Sequence, residues 1–135
     1  MLTQEQKNSL VEFFRQQGVV VAYAFGSQIQ GSATTTSDTD IAILLPEHMS
    51  KEKRFDYRLR MAGELSKKLD TPVDLVVLND TSSLFFKYTI ISEGLCLFAR
   101  DDGERVAFEA ALMSEYFDFE PFLDQYHAHY VQTHL

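Results

Sequence analysis

Two aspartates, Asp38 and Asp40, stand two apart at the head of an apolar run, Ile41-Ala42-Ile43-Leu44-Leu45. On a strand, alternation puts Asp38, Asp40, Ala42 and Leu44 on one face and Thr39, Ile41, Ile43 and Leu45 on the other. The two carboxylates then stand side by side. Like charges that close raise each other's pKa or take a cation between them. Mg²⁺ answers that need, because it binds hard oxygens and is usually held by one or two carboxylates plus substrate phosphates. A third acid, Asp74, interrupts the apolar run Val73-Asp74-Leu75-Val76-Val77-Leu78. A carboxylate in core-like surroundings is costly unless it is paired or metal-bound. If its strand lies beside that of Asp40, the three acids form one cluster.

Ahead of the acids, the apolar run Val19 to Phe25 ends in Gly26-Ser27. Gly26 can take dihedrals denied to other residues and lets a ligand come close to the backbone. Ser27 adds a hydroxyl and a backbone N–H. Together they suit the β- and γ-phosphates of a nucleoside triphosphate. The whole set fits a two-metal phosphoryl or nucleotidyl transfer, one ion helping to deprotonate the attacking hydroxyl and the other steadying the leaving pyrophosphate. Asp74, nearest the acceptor, also suits the role of base. An Asp-x-Asp pair alone is more often a solvated strand end. Strand, Gly-Ser, ten residues, Asp-x-Asp at a strand start and then a strand aspartate is far more specific.

The elements that must position these residues follow in order. Thr3 and Gln6 form a capping box for a helix bearing Leu10, Val11, Phe13 and Phe14, which Gly18 ends. Strands are expected over 19–25 and 38–45, with Pro46 closing the second. A helix over 50–69 carries Phe55, Leu59, Ala62, Leu65 and Leu69 along one side and a basic first part, Lys51, Lys53, Arg54, Arg58 and Arg60. That basic part suits a solvated face or a phosphate or partner patch. Thr71-Pro72 breaks the helix before a third strand at 73–78. A helix over 83–93, a stop at Gly94 and a short strand at 95–98 follow, with Cys96 read as a buried packing residue. Helical material then runs to the end, with a break or new start expected near Asp118 and Pro121. Its stripe of Phe119, Phe122, Leu123, Tyr126 and Tyr130 suits either core packing or a docking face. His127, His129 and His134 lack the i, i+4 spacing of a helical metal pair and read as exposed. The layout is an α+β or α/β fold, a small sheet covered by helices.

Composition narrows the classes. At 135 residues one domain spanning 1–135 is expected, with its core at about 4–100 and a helical extension at about 101–135. The net charge of −8 argues against direct nucleic-acid binding, which needs excess Lys and Arg. A single cysteine excludes an intramolecular disulfide and fits a reducing, cytoplasmic setting. No run is long and apolar enough for a membrane span, and the N-terminus lacks a signal-peptide core. Eleven Phe and six Tyr are heavy for this size, and any surplus beyond core needs would point to a partner surface.

Gly26-Ser27, the ten-residue spacer and Asp38-x-Asp40 resemble the DNA polymerase β-like nucleotidyltransferase superfamily, and the small size resembles its minimal nucleotidyltransferases. Val73 to Asn79 and Ile90 to Gly94 look like later landmarks, so the resemblance covers about residues 4–100. The members it resembles are antitoxins paired with a HEPN-domain RNase toxin. The resemblance implies the α+β nucleotidyltransferase fold, with Gly26 and Ser27 binding the nucleotide. It implies Asp38, Asp40 and Asp74 as metal-binding and catalytic acids, with two Mg²⁺ ions and ATP as co-substrate. The implied activity is transfer of AMP, one or more times, to a tyrosine of the cognate toxin, which silences the RNase. Two other readings stay open: an antitoxin that acts by occlusion alone, and an antibiotic-modifying nucleotidyltransferase. Many relatives carry Arg between the Ser and the next Gly, where this chain has Gln28-Ile29-Gln30. The basic helix start, Arg54 or Arg58, is the expected substitute.

Overall fold

The computed structural model describes residues 2–26 and 39–134, with side chains described as far as Pro121. Its element order is α1 (Gln4–Gln17), β1 (Val21–Phe25), β2 (Thr39–Leu44), α2 (Lys51–Leu69) and β3 (Val73–Val77). A 3₁₀ turn (Leu78–Asp80), α3 (Leu84–Glu93), β4 (Leu95–Ala99) and α4 (Asp102–His134) follow. The sheet runs β3-β2-β1-β4. β1 is antiparallel to both β2 and β4, and β2 is parallel to β3 through the α2 crossover. This mixed sheet between helices is the α+β fold expected from the sequence.

Local signals set the boundaries. The Thr3 hydroxyl accepts from the Gln6 N–H at 3.1 Å, and the Thr3 N–H donates back to Gln6 Oε1 at 2.9 Å. Gly18 ends α1 at φ +75°, a left-handed cap suited to glycine. Ser50 and Ser83 cap α2 and α3 through the N–H groups of Lys53 and Phe86. Asp70 closes α2 in the left-handed region before Thr71-Pro72.

Alternation along the strands builds two cores. Ala22, Ala24, Ile41, Ile43, Leu75 and Val77 pack under α1 and α2, against Leu10, Phe14, Met61 and Leu65. Val21, Tyr23, Ala42 and Leu78 pack under α3 and α4, against Ile90, Phe86 and Phe108. Each such buried aliphatic side chain contributes roughly 1.5–3 kcal/mol. Two further contacts help to join α4 to the rest. The Tyr23 hydroxyl donates to Glu109 at 2.6 Å, and burial together with that carboxylate pushes the phenol well above its usual range. Tyr88 on α3 stacks flat on Tyr116 at 4.0 Å between centroids.

Four expectations need correction. The buried stripe of α2 is Met61, Leu65 and Leu69, while Phe55 and Leu59 are 58% and 56% exposed. Both lie on a flank of α2 turned away from that stripe, and Phe55 lines a groove beside β3. Cys96 is exposed on the edge strand β4 rather than buried. Asp74 is likewise exposed, because β3 is the other edge strand. Finally, α4 continues through Pro121 without a break, over 33 residues or about 50 Å. The ring removes one N–H bond, and its carbonyl partner one turn earlier, on the half-exposed Phe117, can turn to water.

Asn79 extends the sheet beyond its ladder. Its amide nitrogen donates to the Leu45 carbonyl at 2.8 Å and its oxygen accepts the Leu45 N–H at 2.9 Å. The side chain thus acts as one more rung between β2 and β3. Asn79→Ala is expected to lower the unfolding free energy by about 1–2 kcal/mol, read by urea denaturation, because two half-buried backbone groups lose their partner.

Candidate active site

β1 ends at Gly26, whose φ of +84° lies where only glycine rests easily. Across from this end, Phe25 and Asp40 are register partners on β1 and β2. A Cβ on Gly26 would run into the Asp40 carboxylate, with Asp40 Cγ only 3.1 Å away. The carboxylate therefore occupies the space a side chain would take. Phe25 is steadied by Phe86 of α3, edge-on at 5.7 Å. Gly94 serves the same strand end, since a Cβ there would sit 2.9 Å from the Ala24 carbonyl and closer still to that of Ile90.

On the other side of β2, Asp40 is the register partner of Asp74 on β3. Paired residues on adjacent strands point to the same face, and the strands lie about 4.8 Å apart. The start of both strands is fixed by the Thr39 N–H, which donates to the Pro72 carbonyl at 3.1 Å, with Thr39 only 4% exposed. The condition set by the sequence, that β3 lie beside β2, is met for Asp40 and Asp74. The cost argument for Asp74 is not: solvent hydrates this carboxylate at the sheet edge. Ser27 and Asp38 lie outside the described residues, as do Gln28, Ile29 and Gln30.

The donor set suits a hard cation. Asp40 and Asp74 are neighbours at one strand end, with the Asp40 carboxylate seated against Gly26. Mg²⁺ takes one or two carboxylates and fills its shell with water and phosphate oxygens. Among the described residues no group of three His, Cys, Asp or Glu gathers to hold a metal.

A groove of about 360 Å³ runs along the free edge of β3 and contains Asp74. Lys51, Arg54, Phe55 and Arg58 of α2 form its wall, with Asp80 at one end. Arg54 is fully engaged: Nε and Nη2 donate to the two Asp80 oxygens at 2.9 and 2.6 Å, and Nη1 donates to the Met49 carbonyl at 2.6 Å. That clamp holds the Asp80 carboxyl below its usual range. It also removes Arg54 as the substitute for the missing phosphate-binding arginine. Arg58 is exposed and forms no ion pair with a described carboxylate. The clamp joins residues 26 apart, so no local spacing announced it. A larger cavity, about 1,110 Å³, opens at the opposite end of the sheet beside Leu44, Pro46 and Phe108. There Arg100 is paired with Glu104, and the paired acids lie at the far strand ends.

Comparison with known proteins agrees with this geometry. The family described as Polymerase beta, Nucleotidyltransferase matches residues 8–103. The protein adenylyltransferase MntA of Shewanella oneidensis is 27% identical over 122 residues, covering 88% of this chain and 84% of that protein. A crystal structure of a toxin-antitoxin with AMP-PNP contains a chain similar in fold, with TM-score 0.67 and 25% identity. The match covers 88% of this chain and 96% of that one. A further similar fold occurs in a structure of tri-AMPylated Shewanella oneidensis HEPN toxin in complex with MNT antitoxin, with TM-score 0.65 and 22% identity. That match covers 92% of this chain and 98% of the other.

Two outcomes follow from the geometry. Gly26→Ala should cost about 1–2 kcal/mol of stability through its left-handed backbone alone. It should weaken binding of magnesium-nucleotide by more than that loss accounts for, read by calorimetric titration of the folded variant, because Asp40 must move aside. Asp80, with a folded pKa below its unfolded one, contributes stability above the unfolded value near 4 that is lost as pH falls through the folded value. The gap in melting temperature between wild type and Asp80→Asn should therefore be widest near neutral pH and close on acidification below about pH 4.

Proposed function

The chain belongs to the polymerase beta nucleotidyltransferase family, and from that premise we propose that it is an antitoxin that transfers AMP from ATP to a tyrosine of a cognate HEPN-domain RNase toxin. The observation that carries this reading is the placement of Asp40 between Gly26 on one side and Asp74 on the other. Likeness to the adenylyltransferase MntA and to a chain crystallised with AMP-PNP supports the choice of an adenylyl donor. Transfer is repeated on one toxin, a reading supported by the tri-AMPylated toxin in the structure of similar fold. As part of a toxin–antitoxin pair the protein acts in the cytoplasm. Among the described residues no helix is long and apolar enough to cross a membrane.

The chain's own groups divide the work. The backbone at Gly26, with Ser27, cradles the β- and γ-phosphates. Asp38, Asp40 and Asp74 are the acids that hold divalent cation, with Asp40 set between the nucleotide and the acceptor. Bound there, Mg²⁺ would neutralise the triphosphate and favour departure of pyrophosphate. The phenol oxygen of the toxin tyrosine bonds to the α-phosphorus, the bond to the bridging oxygen breaks, and pyrophosphate leaves. Asp74, exposed at the sheet edge where an acceptor can reach it, takes the phenol proton.

The test uses purified chain, cognate toxin, ATP and MgCl₂, followed by intact mass. Wild type should add AMP-sized increments to the toxin. Asp40→Asn should slow this at least about a hundred-fold, the order of loss when a group stabilising transition-state charge is removed. An Asp40→Asn protein that still silences the RNase as well as wild type would instead support neutralisation by occlusion. Increments of another nucleotide's mass would overturn the choice of ATP.

A further inference from the structure

Where α3 and α4 run together, exposed aromatic rings stand beside acids that serve neither the fold nor the transfer reaction. Tyr88 of α3 stacks on Tyr116 of α4. Phe85 lies 6.5 Å from Tyr116, and Phe117 lies 5.8 Å from Tyr88, between ring centroids. The last two rings are not core: Phe85 is 60% exposed and Phe117 53%. Large apolar side chains gathered in water mark a contact surface rather than a packing need.

Charge says what kind of partner this face fits. From Val106 to Leu135 the chain has no Lys or Arg, against five Asp and Glu. Of those five, Glu109 is taken up by Tyr23 and Arg105. Glu115, Asp118 and Glu120 flank the rings along α4, are exposed, and form no ion pair with a described residue. An acidic stretch by itself is a solvated face. Aromatic rings among the acids are what protein interfaces carry at their centres. A second copy of this chain suits the face badly, because a two-fold pairing sets each patch against itself, acids on acids. A surface rich in Lys and Arg suits it well. An RNase carries such a surface, because its substrate is a polyanion held through its phosphates.

The location fits a docking role. Phe86, next to Phe85 on α3, steadies Phe25 at the end of β1, one residue before Gly26. One helix thus serves both the nucleotide end of the sheet and the aromatic face.

Resting on the function proposed above, we propose that the α3–α4 face is where the toxin docks, through a basic surface of its own. Phe85 and Phe117 are the aromatic anchors. Glu115, Asp118 and Glu120 form the charged rim that steers the approach. The face holds the toxin while its tyrosine reaches Asp40, and takes no part in the chemistry.

The experiment measures the rate of AMP addition against concentration of the cognate toxin, and the Kd for that toxin by titration without ATP. Phe85→Ala combined with Phe117→Ala should raise KM and Kd about thirty-fold or more, the loss expected for aromatic anchors of an interface. The kcat and the binding of magnesium-nucleotide should hold. Asp118→Lys combined with Glu120→Lys should slow association about ten-fold or more at low salt, and the gap should close at high salt, as steering between opposite charges requires. Unchanged KM and Kd in both variants overturn the proposal. A fall in kcat at unchanged KM also overturns it, by placing the rings in the chemistry. So does a wild-type chain that dimerises in light scattering while the double alanine variant does not, since the face would then join two copies. Toxin that binds through these residues yet gains no AMP leaves the docking face standing and removes the adenylyltransferase reading.

Discussion

Two carboxylates held side by side at the end of adjacent strands form the constraint around which this molecule is arranged. Asp40 and Asp74 are register partners in the parallel β2–β3 pair. Their strands lie about 5 Å apart, and paired residues on adjacent strands point to the same face. A fold that sought only stability would place other residues there. The third neighbour, Gly26, makes the point again, since its missing side chain is what leaves room for the Asp40 carboxylate. Under the function proposed above, a divalent cation bound with the triphosphate would be held by the two acids at this strand end.

The rest of the structure keeps that strand end in register. Thr39 ties the start of β2 to Pro72, and Asn79 ties its far end through Leu45. The Arg54–Asp80 clamp locks the N-terminal half of α2 to the turn after β3. Phe86 and Gly94 bring α3 close against the end of β1. On the same face as α3, Tyr23 reaches Glu109 and fastens α4 to the central strand. Each of these links holds backbone rather than substrate.

Much of this could be read from the chain before any coordinates. The order of helices and strands, the capping residues and the faces of β2 follow from periodicity and turn chemistry. So does the idea that Asp74 meets Asp40, which needed only one further fact, the pairing of β3 with β2. What failed did so because it depends on position in the sheet. Periodicity along α2 marks Phe55 and Leu59 as apolar, but β3 is an edge strand, and both side chains stay exposed. Lying on the two edge strands, β3 and β4, makes Asp74 and Cys96 exposed, although both sit in apolar runs. Pro121 signals a break, yet a helix end this solvent-exposed tolerates one lost hydrogen bond. The Arg54–Asp80 pair joins residues brought together only by the crossover, and it changes which cations can serve a ligand. Ser27 and Asp38, two of the five predicted site residues, lie outside the described residues.

The most direct measurement is a crystal structure of this chain with a non-hydrolysable ATP analogue and Mn²⁺ in place of Mg²⁺, with anomalous scattering used to locate the ion. An anomalous peak coordinated by Asp40, with the triphosphate lying over Gly26, is the expected result. Nucleotide bound elsewhere, or bound at Gly26 with no metal at the Asp40 carboxylate, would contradict the assignment of this strand end as the nucleotidyl-transfer centre.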